Sequence, residues 1–291
     1  MIDLHSHTTN SDGTWSTKEL LEKAENIGLE VFSITDHDTV KSYIEIEQDK
    51  DIQAIFKGKL IKGVELNCVF NGIKIEILAY NFALHPVNEW LEDYYTVEKN
   101  RNRLIEEFND LVEICNRKKI KIENNLQYNP DKEYPVDVIY YSIVKFEENK
   151  KFFTEEQWKD KGLFFRTCTV DKNFILYRDF SKQMPTLEFF NKFIHENNGK
   201  LFLAHLYKYQ LDDYIEYLNK IVERNLIDGV EVYHSSFTSE QIKILEDYCN
   251  SRGLLMSGGS DCHGERKKDR KLGIGYGNLN INKEIIKQWN I

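Results

Sequence analysis

Met1-Ile2-Asp3-Leu4-His5-Ser6-His7 opens the chain with an apolar run that ends in two histidines one residue apart. In extended backbone, residues i and i+2 face the same side, so His5 and His7 aim their imidazoles at one point. Near the other end, Asp261-Cys262-His263 repeats the arrangement, with Cys262 turned the opposite way. Of eight histidines, five (His5, His7, His37, His205 and His263) stand at the ends of apolar runs. The pattern predicts a metal centre and, with it, hydrolytic chemistry.

Working outward, short apolar runs alternate with amphipathic helical stretches. Predicted strands are Ile2–His5, Val31–Thr35, Leu60–Leu66, Lys74–Tyr80, Lys200–His205, Gly229–Tyr233 and Leu254–Ser257. Several are nearly continuous in hydrophobic residues, as strands buried on both faces of a parallel sheet are. Ser16-Thr17-Lys18-Glu19 is a capping-box pattern ahead of Leu20, Leu21, Ala24 and Ile27, and Thr238 with Gln241 is another. Pro185-Thr186 opens a third helix carrying Phe189, Phe190, Phe193 and Ile194, which closes near Gly199. Alternating strands and helices predict βα units and a parallel sheet or barrel. Residues 87–185 break the rhythm. They predict a mostly helical insertion between two halves of the core domain, 1–86 and 186–291.

Composition narrows the function classes. A 291-residue chain with 41% hydrophobic residues can bury a real core. A net charge of −9 makes it a poor grip for long nucleic acid, which is held through its phosphates. Phosphorylated substrates stay open, because bound cations reverse the local field. Cys68, Cys115, Cys168, Cys249 and Cys262 are odd in number and form no C-x-x-C, which predicts reduced thiols and a cytoplasmic protein. The N-terminus has no signal-peptide pattern, and no apolar run approaches the ~20 residues of a membrane span.

The ligand-type residues fall at or near the predicted strands' C-terminal ends, where barrel enzymes assemble their sites. They are His5, His7 and Asp12, then His37, Glu65, Glu76 and His205, then Glu231, His234, Asp261 and His263. Mixed imidazole and carboxylate donors suit manganese, iron or zinc. The number of groups exceeds the four or so that one zinc uses, so two or three divalent ions sharing a carboxylate are expected. His85 and His195 read as structural.

These motifs resemble the polymerase-and-histidinol-phosphatase (PHP) domain family. The resemblance rests on Asp3-Leu4-His5-Ser6-His7 with Ser11-Asp12-Gly13, on Ile34-Thr35-Asp36-His37-Asp38, and on Gly63-Val64-Glu65. It continues in Leu203-Ala204-His205, Gly229-Val230-Glu231-Val232-Tyr233-His234 and Gly259-Ser260-Asp261-Cys262-His263-Gly264. It implies a distorted, TIM-like barrel of seven strands and helices holding three metals. His5, His7 and Asp261 would hold the first metal, and Glu65 would bridge it to the second. His205 would help hold the second, and Asp12, His37 and His263 the third. The branch most similar acts on nucleotides and short RNA ends. That branch usually carries histidine where Glu76 stands, an arginine in the insertion where Pro135-Val136-Asp137-Val138 supplies none, and proline where Leu206 follows His205.

The implied reaction is phosphoester hydrolysis on small nucleotide or short oligonucleotide phosphates, with a hydroxide bridging two metals against Glu65. His234 is the candidate for phosphate binding or leaving-group protonation, with Glu231 orienting its neighbours. Asp38 is expected behind a ligand histidine. Lys208 and Arg178 are candidate phosphate contacts. The insertion is expected to shape the substrate pocket, with most of its aromatic residues forming its own core. Rival readings are a histidinol-phosphate-type phosphatase, another metal-dependent hydrolase on the same scaffold, and a metal-binding module without turnover.

Overall fold

The computed structural model describes residues 1–169, 173–179 and 183–291. The chain divides into two compact units. The first comprises Met1–Cys68, Ile75–Glu92 and Pro185–Ile291, and the second Val69–Lys74 and Asp93–Met184.

The strands are β1 (Ile2–Asp3), β2 (Val31–Phe32), β3 (Lys59–Leu60), β4 (Gly63–Phe70), β5 (Ile73–Tyr80), β6 (Lys200–Leu203), β7 (Gly229–His234) and β8 (Leu255–Gly259). β1, β2 and β3 form a parallel three-stranded sheet in that order. The other five form a second sheet, in chain order. β6, β7 and β8 are parallel, but β5 pairs with β6 antiparallel.

The α/β class holds, but the expected distorted, seven-stranded TIM-like barrel is corrected. The described residues form eight strands in two sheets and no closed barrel. The reason lies in a turn. Asn71 and Gly72 both adopt positive φ (51° and 76°) between Phe70 and Ile73. A two-residue turn of that kind folds the chain back as a hairpin, whereas a parallel crossover needs a dozen residues or more. Bonds nevertheless run between the sheets on both sides. Leu4 N–H donates to Gly258 O (3.1 Å) and Asp261 N–H to His5 O (2.9 Å). Asp38 N–H donates to Glu65 O (2.8 Å) and Glu65 N–H to Asp36 O (3.2 Å).

Alternation along the first strand sets which side chains reach the site. Ile2 and Leu4 pack into an apolar cluster with Leu78, Tyr80, Phe202 and Trp289. Asp3, His5 and His7 face the other way and are fully buried. Tyr80 Oη donates to Leu4 O (2.8 Å) and Trp289 Nε1 to Met256 O (3.0 Å), which pins the floor beneath the site. The predicted helices form over Thr17–Asn26, Leu187–Glu196 and Ser239–Arg252. Both capping boxes, Ser16 with Glu19 and Thr238 with Gln241, are closed.

The second unit is largely helical. A 22-residue helix, Val97–Lys118, is N-capped by Thr96, and shorter helices follow at Pro135–Ile143, Glu155–Lys159 and Lys161–Phe164. Phe108, Leu111, Ile139, Ile143, Phe164 and Leu176 make its core, with Tyr128 and Trp158 packed against it. Tyr134 and Tyr141 stay exposed. All five cysteines are free and buried. No described helix is long and apolar enough to cross a membrane.

Candidate metal centre

The site collects residues from the segments after β1, β2, β6 and β8 and from within β7, while Glu65 and Glu76 lie inside β4 and β5 and not at the C-terminal ends expected; bonds that the motif residues themselves make hold these segments together. Asp3, buried in the first strand, accepts from His5 N–H (3.2 Å), Ser260 N–H (2.9 Å), Ser260 Oγ (2.6 Å) and Gly273 N–H (2.7 Å). It ties the His5-His7 segment to the Asp261-His263 segment, and burial pushes its carboxyl pKa up. Gly259 permits the contact, since a Cβ there would lie 2.4 Å from His5 N. Asp36 organises the next loop. Its carboxylate accepts from Thr8 N–H and Thr8 Oγ1 (both 2.7 Å), Ser11 Oγ (2.7 Å) and Ser42 Oγ (2.6 Å), and so holds the turn that presents Asp12. Two site residues, His205 (φ 24°) and Asp261 (φ 54°), sit in positive-φ conformations that non-glycine residues avoid. Such strain persists where the surroundings impose it.

All nine predicted metal ligands converge. Three overlapping donor groups form: His5, His7 and Asp261; His37, Glu65 and Glu76; and His7, Asp12, His37 and His263. Glu65 stands between them. Its Oε2 lies 3.1 Å from His5 Nε2, 3.3 Å from His7 Nε2 and 3.3 Å from His37 Nδ1, and its Oε1 lies 2.7 Å from His205 Nε2. Glu76 Oε2 is 3.2 Å from the same His205 nitrogen, and its backbone is clamped by Tyr209 Oη. Asp12 Oδ1 is 3.1 Å from His263 Nε2 and 3.8 Å from both His7 and His37.

This geometry fits divalent cations. Donors 2.0–2.2 Å from a tetrahedral ion lie about 3.3–3.6 Å apart, a range that falls inside the 2.7–3.8 Å spread of separations here. Several buried donors also lack hydrogen-bond partners: His7 Nδ1 and Nε2, Asp12 Oδ1, His37 Nδ1 and His205 Nδ1. Buried polar atoms rarely stay unpaired, and metal coordination satisfies them. His7 and His37 each turn one nitrogen toward one donor group and the second nitrogen toward another. A neutral imidazole has one free lone pair, so each can serve one cation at a time.

The electrostatics agree. Burial lowers the histidine pKa values, yet Glu65 and Glu231 hold His5 well above its ordinary value. Burial likewise opposes, but the neighbouring carboxylates of Asp261 and Glu65 lift His7 to about 9, and bonds from Glu65 and Glu76 lift His205 to about 9. Against the same burial, the surrounding imidazoles pull Glu65 and Asp261 well below the usual carboxylate range. Protons thus stand where cations would.

Glu231 is the orienting carboxylate. It bonds His5 Nδ1 (2.7 Å) and accepts from His205 N–H (2.8 Å), which leaves Nε2 of His5 for the centre. Asp38 bonds Asn67 through both oxygens (2.9 and 2.7 Å) and so braces β4.

His234 is buried, with Nε2 3.4 Å from Asp261 Oδ2. Its Nδ1 accepts from Ser236 N–H (3.1 Å), so in the neutral ring the proton is on Nε2. Burial lowers its pKa to about 4. Lys208 reaches Asp261 Oδ2 at 3.3 Å. Arg178 belongs to the other unit. There its guanidinium is 3% exposed and Nε bonds Asp110 at 2.8 Å.

Sequence reasoning passed over two cations. Arg270 bonds Asp261 Oδ2, and Lys267 Nζ lies 3.0 Å from His263 Nε2 and 3.7 Å from Asp261. Their signal was the basic run Arg266-Lys267-Lys268-Asp269-Arg270-Lys271 directly after the last motif. For Asp3 and Asp36 the signal is that a carboxylate beside apolar strand residues needs buried partners.

The PHP domain model matches residues 3–266. The chain belongs to the PHP domain family. Metal-dependent phosphoester hydrolysis, the enzyme class read from the sequence, is the class this membership supports. Among curated proteins, the chain is 34% identical over 109 residues to the 5'-3' exoribonuclease Rnm of Salmonella typhimurium. It is 41% identical over 86 residues to a 5'-3' exoribonuclease of Haemophilus influenzae. These alignments span 37% and 29% of this chain, and 37% and 30% of those relatives. Among solved structures, a candidate metal-dependent phosphoesterase from Bifidobacterium adolescentis superposes with TM-score 0.60 at 21% identity, covering 99% of this chain and 94% of that one. An amidohydrolase from Chromobacterium violaceum, with bound sulfate and no metal, gives TM-score 0.63 at 17% identity, covering 99% and 96%. At that identity the two likenesses show a shared fold.

Proposed function

We propose that this PHP domain protein hydrolyses small phosphate esters, namely nucleotide phosphates and the 5′ ends of short oligonucleotides, with two or three divalent cations. The observation that carries it is the convergence of five imidazoles and four carboxylates on one buried point, with a cluster of cationic side chains at its edge. The names of the exoribonuclease relatives support the nucleic-acid side of the reading.

When bound, the cations supply Lewis acidity and an activated water near neutral pH. His5, His7 and Asp261 would hold one ion. Glu65 with Glu76 and His205 would hold a second, and Asp12 with His263 a third. His37 lies between the last two. Lys208, Lys267 and Arg270 face the oxygen of Asp261 that points away from His5, and they neutralise a phosphoryl group docked there. Neutral His234 presents Nε2–H on the same side. With a pKa near 4 it serves as a hydrogen-bond donor to phosphate rather than as a protonated acid. Arg178, already held by Asp110, takes no part in this reading.

The test is turnover of a phosphoester panel after loading with manganese, iron or zinc, with metal content measured in the same samples. The panel contains p-nitrophenyl phosphate, nucleoside 5′- and 3′,5′-phosphates, histidinol phosphate and a 5′-phosphorylated hexaribonucleotide, with amide and carboxyl-ester controls. Hydrolysis of amides in preference to phosphates, or no turnover by fully loaded protein, would refute it.

A further inference from the structure

Next to the metal centre lies a second cleft of about 400 Å³, lined by Trp15, Lys23, Lys268, Arg270 and Lys271 among others. Three observations set it apart. First, its aromatic wall is built into the site. Trp15 follows Asp12 by three residues, and Trp15 O accepts from Thr9 N–H (2.9 Å). Thr14 Oγ1 donates to His263 O (3.3 Å) and accepts from Glu265 N–H (2.7 Å), which locks the tryptophan loop to the last metal motif. Gly264, at φ +64°, lets the ring lie close, since a Cβ there would come within 3.0 Å of it. Second, the ring is half-buried and Lys23 Nζ stands 4.3 Å from its centre, a cation–π contact by a flexible exposed side chain. Third, residues 265–271 carry five cations against two carboxylates in a chain whose net charge is −9. Arg270 belongs to both places, because it lines this cleft and bonds Asp261 in the metal centre.

An aromatic face beside a row of cations is how single-stranded nucleic acid is held without sequence preference: bases stack and phosphates pair. We infer that this cleft is a subsite for the nucleotides of a single-stranded substrate that lie beyond the phosphate held at the metals. The adjacent base stacks on Trp15, and Lys23, Lys268 and Lys271 line the backbone path that Arg270 begins. The inference rests on the phosphoesterase reading and adds a length preference to it: short chains outrank mononucleotides.

The metal-loaded protein is assayed with the 5′-phosphorylated hexaribonucleotide and with p-nitrophenyl phosphate. Trp15→Ala is expected to lower kcat/KM on the hexanucleotide by about 5- to 100-fold, chiefly through KM, and to leave the small ester unchanged. Trp15→Phe should restore most of the loss. Lys268→Glu with Lys271→Glu should weaken hexanucleotide binding and flatten its salt dependence. A uniform loss on both substrates would assign Trp15 to loop structure and overturn the proposal. Binding is measured separately, by anisotropy of a labelled oligouridylate on chelator-treated wild type and Trp15→Ala. Equal affinity for the two proteins, or displacement of the oligouridylate by a polyglutamate peptide as readily as by RNA, also overturns it. A Trp15-dependent oligouridylate affinity without turnover on any phosphoester would instead fault the phosphoesterase reading and leave the subsite standing.

Discussion

The two compact units are built on opposite terms. All eight histidines lie outside Asp93–Met184, and six of them (His5, His7, His37, His205, His234 and His263) gather at one centre. That centre buries carboxylates, strains two backbone positions and leaves donor atoms without hydrogen bonds. The helical unit does the reverse. Its core is apolar, and its buried Asn149 and Gln157 are bonded: Asn149 caps Ile143 O and Lys121 O, and Gln157 reaches Thr167. The difference says where substitutions should damage chemistry and where they should damage only folding.

The largest effect follows at Glu65, which touches four imidazoles. Glu65→Gln removes the shared charge and should lower turnover by roughly 10³-fold or more, with metal content per chain falling in parallel. Normal activity in that variant would remove the centre's chemistry from the comparison. The matching substitution in the helical unit is Phe164→Ala, at a fully buried ring. It should cost about 3–5 kcal/mol in denaturant unfolding. Bound metal and kcat of the folded fraction should not change. Metal loss in that variant would break the contrast between the units.

A smaller loss sharpens the contrast within the site. Glu231 touches no candidate metal position, yet holds His5 Nδ1 and the backbone of His205. Glu231→Gln should weaken metal affinity or activity by about 10- to 100-fold, well short of the Glu65 effect. An effect as large as that of Glu65→Gln would make Glu231 a ligand itself.

Much of the centre was legible because metal donors are chemically rare and extended backbone has a fixed period. His5 with His7 announced their common direction at i and i+2, whereas Asp261 and His263 reach the centre through a left-handed Asp261 (φ 54°) and not through extended backbone. His205 announced itself at the end of an apolar run, and Glu65 through the Gly63-Val64-Glu65 motif. The two-sheet arrangement was less legible. Asn71-Gly72 is a strong hairpin signal that the parallel-strand reading left unused, because the neighbouring apolar runs also fit a sheet buried on both faces. Arg270 and Lys267 were hidden for another reason: a lysine-rich run normally stays in solvent, and only tertiary contact shows that two of its members fold back onto Asp261. The spacing of Leu104, Phe108 and Leu111 marks the insertion's first helix, Val97–Lys118, whereas its pairings, such as Tyr140 Oη to Trp158 O, depend on contacts between helices that no local pattern encodes.

The mildest test uses pH and sets the metal-free protein against the loaded one. His7 and His205 each titrate near 9 in the folded, metal-free centre, above the ordinary histidine value of about 6.5. A raised folded-state pKa contributes stability that is complete below the unfolded value and is lost as pH climbs through the folded one. Chelator-treated protein should therefore lose Tm between about pH 6.5 and 9. Cations compete for the same nitrogens and must displace those protons. Apparent metal affinity should rise across that window by roughly tenfold per pH unit for each proton released. The two slopes have opposite sign because one set of buried donors binds either protons or metal. The helical unit, which contains no histidine, should contribute to neither slope. Parallel slopes in the two samples would mean that His7 and His205 are not exchanging protons for cations.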